Sequence, residues 1–266
     1  MLLDISHYTK KSPQNKCTGS FILKSEGEIS LLRESAYLVR DLLLQLHKII
    51  KPGVNELDIA SFCENYIIIR GAEPVLKTEK IYPYCILISR NNIAFHGLPE
   101  DYILKEGDLI TVDVVLLKNG WFGDGAWTYE VGDCSEEVKK LNQFSNNLIY
   151  KTVENLKKLW NISAIGNFIE SECKNNNYRV IDEGAGHGIG RSIHEDPHIL
   201  FNRESESIEL QTGMVFTIEP VITNSTETLQ FSDTGVAFLN DKSYVSQFEH
   251  MIAVNDSGIE ILTDRN

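Results

Sequence analysis

Two aspartates share one short stretch of chain, TVDVVLLKNGWFGDG, at residues 111–125. Asn119-Gly120 between two β-rich runs predicts a hairpin with a two-residue turn. That turn pairs Lys118 with Trp121, Leu117 with Phe122, Leu116 with Gly123 and Val115 with Asp124. Asp113 lies two residues before Val115 and shares its face, so Asp113 and Asp124 become diagonal neighbours roughly 7–8 Å apart. Their companions are valine, leucine, tryptophan and phenylalanine. Two buried carboxylates at that spacing repel, and each is costly to desolvate unless a cation compensates. The pattern suits a divalent-metal site. An edge strand with both side chains in water satisfies it as well.

A second constellation is GAGHGIGRSIHEDP, residues 184–197, where glycines 184, 186, 188 and 190 bracket His187. Glycine lets backbone approach closely. His187 and His194 are seven apart, which is not the helical spacing of a zinc site, and no HExxH is present. A phosphate cradle fits poorly, because the GxGxxG spacing is imperfect and no Walker lysine follows. Glu219 in GMVFTIEP and Glu249 in SQFEHMI each sit in or end an apolar β run. Charged residues are almost never fully buried unless paired or metal-bound, though either glutamate alone could close a strand at the surface. Taken together, Asp113, Asp124, His187, Glu219 and Glu249 carry four carboxylates that two divalent cations would balance. An oxygen-rich shell with one imidazole suits Mn, Fe, Co or Zn. Two such ions close together are built to activate one water for hydrolysis.

Elements must bring these residues together. Residues 1–27 are polar and aperiodic and read as an irregular arm. From Glu28, Leu32, Ala36, Val39, Leu43, Leu46 and Ile50 trace one face of a long helix that Lys51-Pro52-Gly53 stops. Asn55 starts a shorter helix to about Arg70. Three β runs follow: CILISRNNIAF, DLITVDVVLLK and WFGDGAWTYEV. After Gly132-Asp133 the order repeats. A second long helix spans Val138 to Leu159, and a shorter one capped by Ser163 runs to about Lys174. The β runs YRVIDEGAGHGI, GMVFTIEPVI, TLQFSDTGVAFL and SQFEHMIAV complete the chain. Helix, helix, strands, twice over, predicts two α+β halves around a shared sheet.

The 266 residues are 42% hydrophobic and 24% charged, an ordinary globular composition, so the chain has ample length to bury one core. Acidic residues number 38 against 25 basic, and the net charge of −13 argues against nucleic acid or an anionic membrane as partner. No apolar run approaches the roughly 18 residues of a membrane span. MLLDISHYTKKS lacks the apolar core of a signal peptide. Five scattered cysteines without a CxxC suit a reducing, cytoplasmic compartment. There the N-x-S/T matches at Asn161, Asn224 and Asn255 are chance.

The chain resembles the pita-bread metallopeptidases, and within them the type I methionine aminopeptidases, from about Glu28 to Thr263. The carrying segments are KPGVNELDIA, NNIAFHGLPEDYILKEGDLITVDV, GWFGDG, GAGHGIGRSIHEDP, LQTGMVFTIEP and QFEHMIAV. The resemblance implies two pseudo-symmetric helix-helix-strand halves around a curved antiparallel sheet, with residues 28–266 as a single catalytic domain. It implies two divalent metals per chain (Co, Mn, Fe or Zn). Asp113 and Asp124 would hold one and His187 and Glu219 the other, with Asp124 and Glu249 bridging. His96 and His194 would contact substrate, and Glu219 would act as acid/base. Only 24 residues separate His194 from Glu219, which fits the type without a large insertion there. The implied activity is removal of methionine from the amino termini of nascent polypeptides with a small second residue, by a cytoplasmic monomer, with the ribosome as a further partner. The sequence departs from the family at Gly125, where Thr or Ser is usual, at Ile193, where many relatives have Phe, and in FSDTGVAFL, which lacks a Trp. These changes touch the substrate pocket. A proline-specific dipeptidase would keep the same five ligands but usually carries an extra amino-terminal domain. A non-catalytic binding protein of this fold would have lost ligands.

Overall fold

The computed structural model describes residues 21–202 and 207–265. Residues 1–20 of the expected arm lie outside them. Helix α1 (Glu26–Ile49) begins two residues before the expected start, because Ser25 and Glu28 form a reciprocal capping box. Its buried face is Ile29, Leu32, Ala36, Val39, Leu42, Leu43 and Leu46, following the three-and-four spacing of the sequence. Helix α2 (Glu56–Ile69) is capped by Asn55, whose side chain accepts from Leu57 N. A single turn, α3 (Val75–Thr78), leads to strands β1 (Ile86–Arg90) and β2 (Ile93–Phe95). The expected run CILISRNNIAF is broken between them at Asn91, which adopts φ +55°.

Strands β3 (Leu109–Lys118) and β4 (Trp121–Glu130) form a ten-residue antiparallel ladder with β1 on its outer edge. The second long helix, α4 (Glu136–Leu159), is capped by Ser135. The next helix, α5 (Ser163–Asn175), is not capped by Ser163 as expected. Asn161 Oδ1 accepts from Ser163 N at 3.0 Å and also from Ile208 N at 3.2 Å, so the asparagine serves both the helix start and a distant loop.

Shorter strands follow: β5 (Arg179–Val180), β6 (Ala185–Gly188), β7 (Glu195–Leu200), β8 (Val215–Ile218), β9 (Val221–Thr223), β10 (Gln230–Phe231), β11 (Ala237–Phe238), β12 (Val245–Gln247), β13 (His250–Asn255) and β14 (Gly258–Ile261). The shared sheet of the sequence reading divides into ladders. The largest runs β14-β13-β8-β6-β7, and β12-β9-β5 and β10-β11-β2 flank it. Single backbone bonds stitch the halves: Glu249 N donates to Ala126 O at 2.7 Å, and Phe122 N donates to Gly190 O at 3.0 Å. One continuous core joins α1, α2, α4 and α5 to the inner faces of β3, β4, β8 and β13, through residues such as Leu43, Ile67, Trp127, Leu148, Phe216 and Ile252. No helix among the described residues is long and apolar enough to cross a membrane.

Candidate metal centre

Asn119 and Gly120 both take positive φ, +54° and +77°, the geometry of the tight turn that matches strand twist. The register is the one the spacing dictates. Val115 faces Asp124 and Asp113 faces Ala126, so the two aspartates share a face as diagonal neighbours. The edge-strand alternative fails, because β3 lies between β1 and β4 and Asp124 is buried at 4% exposure. The hydroxyls of Thr111 and Thr128 lie 2.8 Å apart and tie the far end of the ladder.

His187 comes from β6, which lies between β7 and β8. A Cβ on Gly186 would meet Thr217 O at 2.4 Å, so only glycine lets the strand carrying His187 lie this close to β8. His187 N donates to Thr217 Oγ1 at 3.0 Å, and the same hydroxyl donates to Glu219 Oε1 at 2.7 Å, which locks histidine and glutamate to one residue. The ring's Nδ1 faces Gly188 O at 3.0 Å. A carbonyl can only accept, so Nδ1 carries the proton and Nε2 keeps its lone pair. That lone pair points into the cluster, 3.4 Å from Glu219 Oε1 and 3.6 Å from Asp124 Oδ2.

The structure thus brings the five expected residues together. Ligand atoms of Asp124, His187 and Glu249 lie within 4.8 Å of one another. Glu219 joins through His187, and Asp113 is near enough for its charge to act on Asp124, Glu219 and Glu249. Burial is the main force on every member. It pushes Asp113 up to about 7 and Glu219 up to about 8, and holds His187 down at about 3. Asp124 and Glu249 are raised well above the carboxylate range by burial and by the neighbouring carboxyls. No lysine or arginine forms an ion pair with any of the four carboxyls among the described residues. Asp113 Oδ1 and Glu249 Oε1 are buried without a hydrogen-bond partner. Buried acceptors without donors, clustered around a deprotonated imidazole nitrogen, are what divalent cations satisfy. The donor set fits metal.

The two further histidines border the cluster. The His194 ring stands 4.4 Å from that of His187, edge to face. Its loop is fastened by Glu195, whose Oε1 accepts from Arg191 N at 3.0 Å and Ser192 N at 3.3 Å while Oε2 meets Lys24 Nζ at 2.5 Å. His96 takes φ +59° after β2, beside Phe95 and Tyr82 at ring distances of 5.1 and 6.1 Å. Burial lowers the pKa of both His96 and His194, which favours neutral rings. His250 points away from the cluster, its Nδ1 3.0 Å from Thr263 O, as alternation on its strand requires. His7 lies outside the described residues.

One part of the site was missed. Val75, Leu76, Leu87 and Val115 form a buried apolar cluster bordered by Tyr82, Phe122 and Ile193. It joins the segment KTEKIYPYCILIS, residues 77–89, to residues next to His96 and His194. The only signal was the apolar content of that segment.

The profile of metallopeptidase family M24 matches residues 30–256. A methionine aminopeptidase of Buchnera aphidicola is 35% identical over 246 residues, covering 91% of this chain and 92% of the relative. The chain belongs to metallopeptidase family M24. Its place is on the methionine aminopeptidase branch. The crystal structure of methionine aminopeptidase from Rickettsia prowazekii superposes with a TM-score of 0.86 at 32% identity, covering 92% of this chain and 100% of that one. The Thermotoga maritima enzyme gives 0.87 at 29% identity. The pita-bread fold is therefore that of this M24 member, an aminopeptidase that uses divalent metal.

Proposed function

We propose that this M24 enzyme removes the initiator methionine from newly made polypeptides whose second residue is small. Asp113 and Asp124 would hold one divalent cation, His187 and Glu219 a second, with Asp124 and Glu249 shared between them. Bound there, the cations would neutralise the carboxylates and bring the pKa of a water towards neutrality.

The chain's own residues do the rest. Glu219 would take a proton from the attacking water and pass it to the departing amide nitrogen. His194 projects from its fastened loop beside His187 and donates a hydrogen bond to the carbonyl oxygen as charge develops on it. His96 hydrogen-bonds the amide nitrogen on the leaving side and orients it. The apolar side chains of Val75, Leu76 and Leu87, bordered by Tyr82 and Ile193, would receive an unbranched thioether side chain near the histidines.

The observation that supports this reading is the convergence of buried Asp124, His187 and Glu249, with half-buried Glu219 and Asp113 beside them and two carboxylate oxygens left without a partner. Methionine release from Met-Ala-Ser, with Mn or Co added, tests it. Cleavage of Ala-Pro peptides instead would make the enzyme proline-specific. Turnover of neither substrate under several metals would make the chain a binding protein.

A further inference from the structure

At the far end of β4, beyond the Thr111–Thr128 contact, lies a cavity of about 290 Å³. Its walls include His47 of α1, Asn142 and Asn146 of α4, Glu130, Phe248 and Arg265. Arg265 is the unusual member. Its guanidinium stacks over the rings of Trp127 at 4.2 Å and Phe248 at 4.8 Å. Among the described residues its buried Nε and Nη2 find no acceptor and it makes no ion pair. A charged group left in that state is costly, because arginine cannot shed its proton to escape. The nearby acids are otherwise engaged. Glu130 Oε1 accepts from Asn142 Nδ2 at 2.9 Å, and Asp264 Oδ1 accepts from Tyr150 OH at 3.1 Å. Asn146 Oδ1 is also buried and unpartnered.

We propose that this cavity is a second ligand site, and that it takes a small carboxylate on the Nε/Nη2 edge of Arg265. That edge presents two parallel N–H groups whose spacing matches the two oxygens of a carboxylate. Aromatic rings on the guanidinium fix its plane, so little freedom is lost when the pair forms. Asn146 supplies an acceptor, so the ligand that uses the whole site carries an N–H or O–H group next to its carboxylate, as α-hydroxy and α-amino acids do. A dianion fits less well, because Glu130 faces the same space with one negative charge against a single arginine. The positive field of Arg265 is felt here: with burial, it keeps His47 below its ordinary pKa. An occupant would rest on Phe248, the residue before Glu249, and would brace the strand end that presents that ligand.

The experiment is a titration of the zinc-loaded enzyme with glycolate, followed by the indole N–H resonances of Trp121, Trp127 and Trp160. Saturable movement of the Trp127 signal at millimolar glycolate, with Trp121 near the metal cluster unmoved, is expected. Arg265→Gln should abolish that movement, and Arg265→Lys, which keeps the charge but loses the fork, should weaken it at least tenfold. Asn146→Leu, which fills the cavity without touching the cation, should abolish it as well. A Trp127 signal unmoved in the folded wild type overturns the proposal. So does an equal response to inorganic phosphate, which would mean an unselective cation.

Discussion

His187 Nε2 stands 3.4 Å from Glu219 Oε1, and Thr217 Oγ1 holds both residues, through His187 N at 3.0 Å and Glu219 Oε1 at 2.7 Å. One hydroxyl therefore sets the spacing between the imidazole lone pair and the proposed acid/base. Removing either partner leaves the strands intact but destroys the constellation. Asp113→Ala and Glu219→Ala should abolish methionine release while far-UV circular dichroism stays unchanged. Near-wild-type turnover in either variant would reject the site.

The metal-free enzyme carries four carboxyls crowded together, with no lysine or arginine paired to them among the described residues. Burial forces Asp124 to take up a proton that the unfolded chain would not hold at neutral pH, and Asp124→Asn removes that cost. It should stabilise the metal-free protein by about 1–3 kcal/mol and raise its melting temperature accordingly. With Mn or Co present the order reverses, because the wild type gains binding energy that the variant lacks. Calorimetry of both proteins with and without metal checks the crossover, and parallel behaviour in all four scans would contradict a metal role for the cluster.

His194→Ala should slow turnover by about 10²–10³-fold, the scale of losing one donor to a developing oxyanion. The loss should appear in kcat more than in KM, because the hydrogen bond strengthens only as charge forms. An effect confined to KM would make His194 a substrate anchor only.

How far the sequence reached can be judged from three places. The hairpin was fully legible, since a two-residue Asn-Gly turn leaves one register and the register puts Asp113 and Asp124 on one face. The start of α5 was misread, because Ser163 and Asn161 are both good caps by composition and only the distant Ile208 N decides between them. The apolar cluster beside the histidines was illegible, because Leu76, Leu87, Val115 and Ile193 meet through tertiary packing and follow no local pattern.

The departure at Gly125 has a steric cause. A Cβ there would lie 2.9 Å from Val39 Cγ1 on α1, closer than carbon atoms pack. Gly125→Thr should therefore destabilise this chain by about 1–3 kcal/mol through overpacking. Val39→Ala in the same protein should recover much of that loss. A Gly125→Thr variant as stable as the wild type would show that α1 has room to move.

Lys24 and Glu195 form a buried ion pair, with side chains 3% and 7% exposed, between the segment before α1 and the loop that carries His194. Glu195 also takes two backbone N–H groups of that loop, so the pair fixes the loop's conformation as well as its place. Lys24→Met leaves the carboxylate buried with no cation, which should cost about 3–5 kcal/mol. The double variant Lys24→Met/Glu195→Gln removes the stranded charge and should regain part of that stability. Activity should not return with it, because methionine and glutamine form no ion pair to draw the loop against the segment before α1. Chemical denaturation and kcat measured on the three proteins separate the two effects. Full recovery of kcat in the double variant would show that the pair serves stability alone.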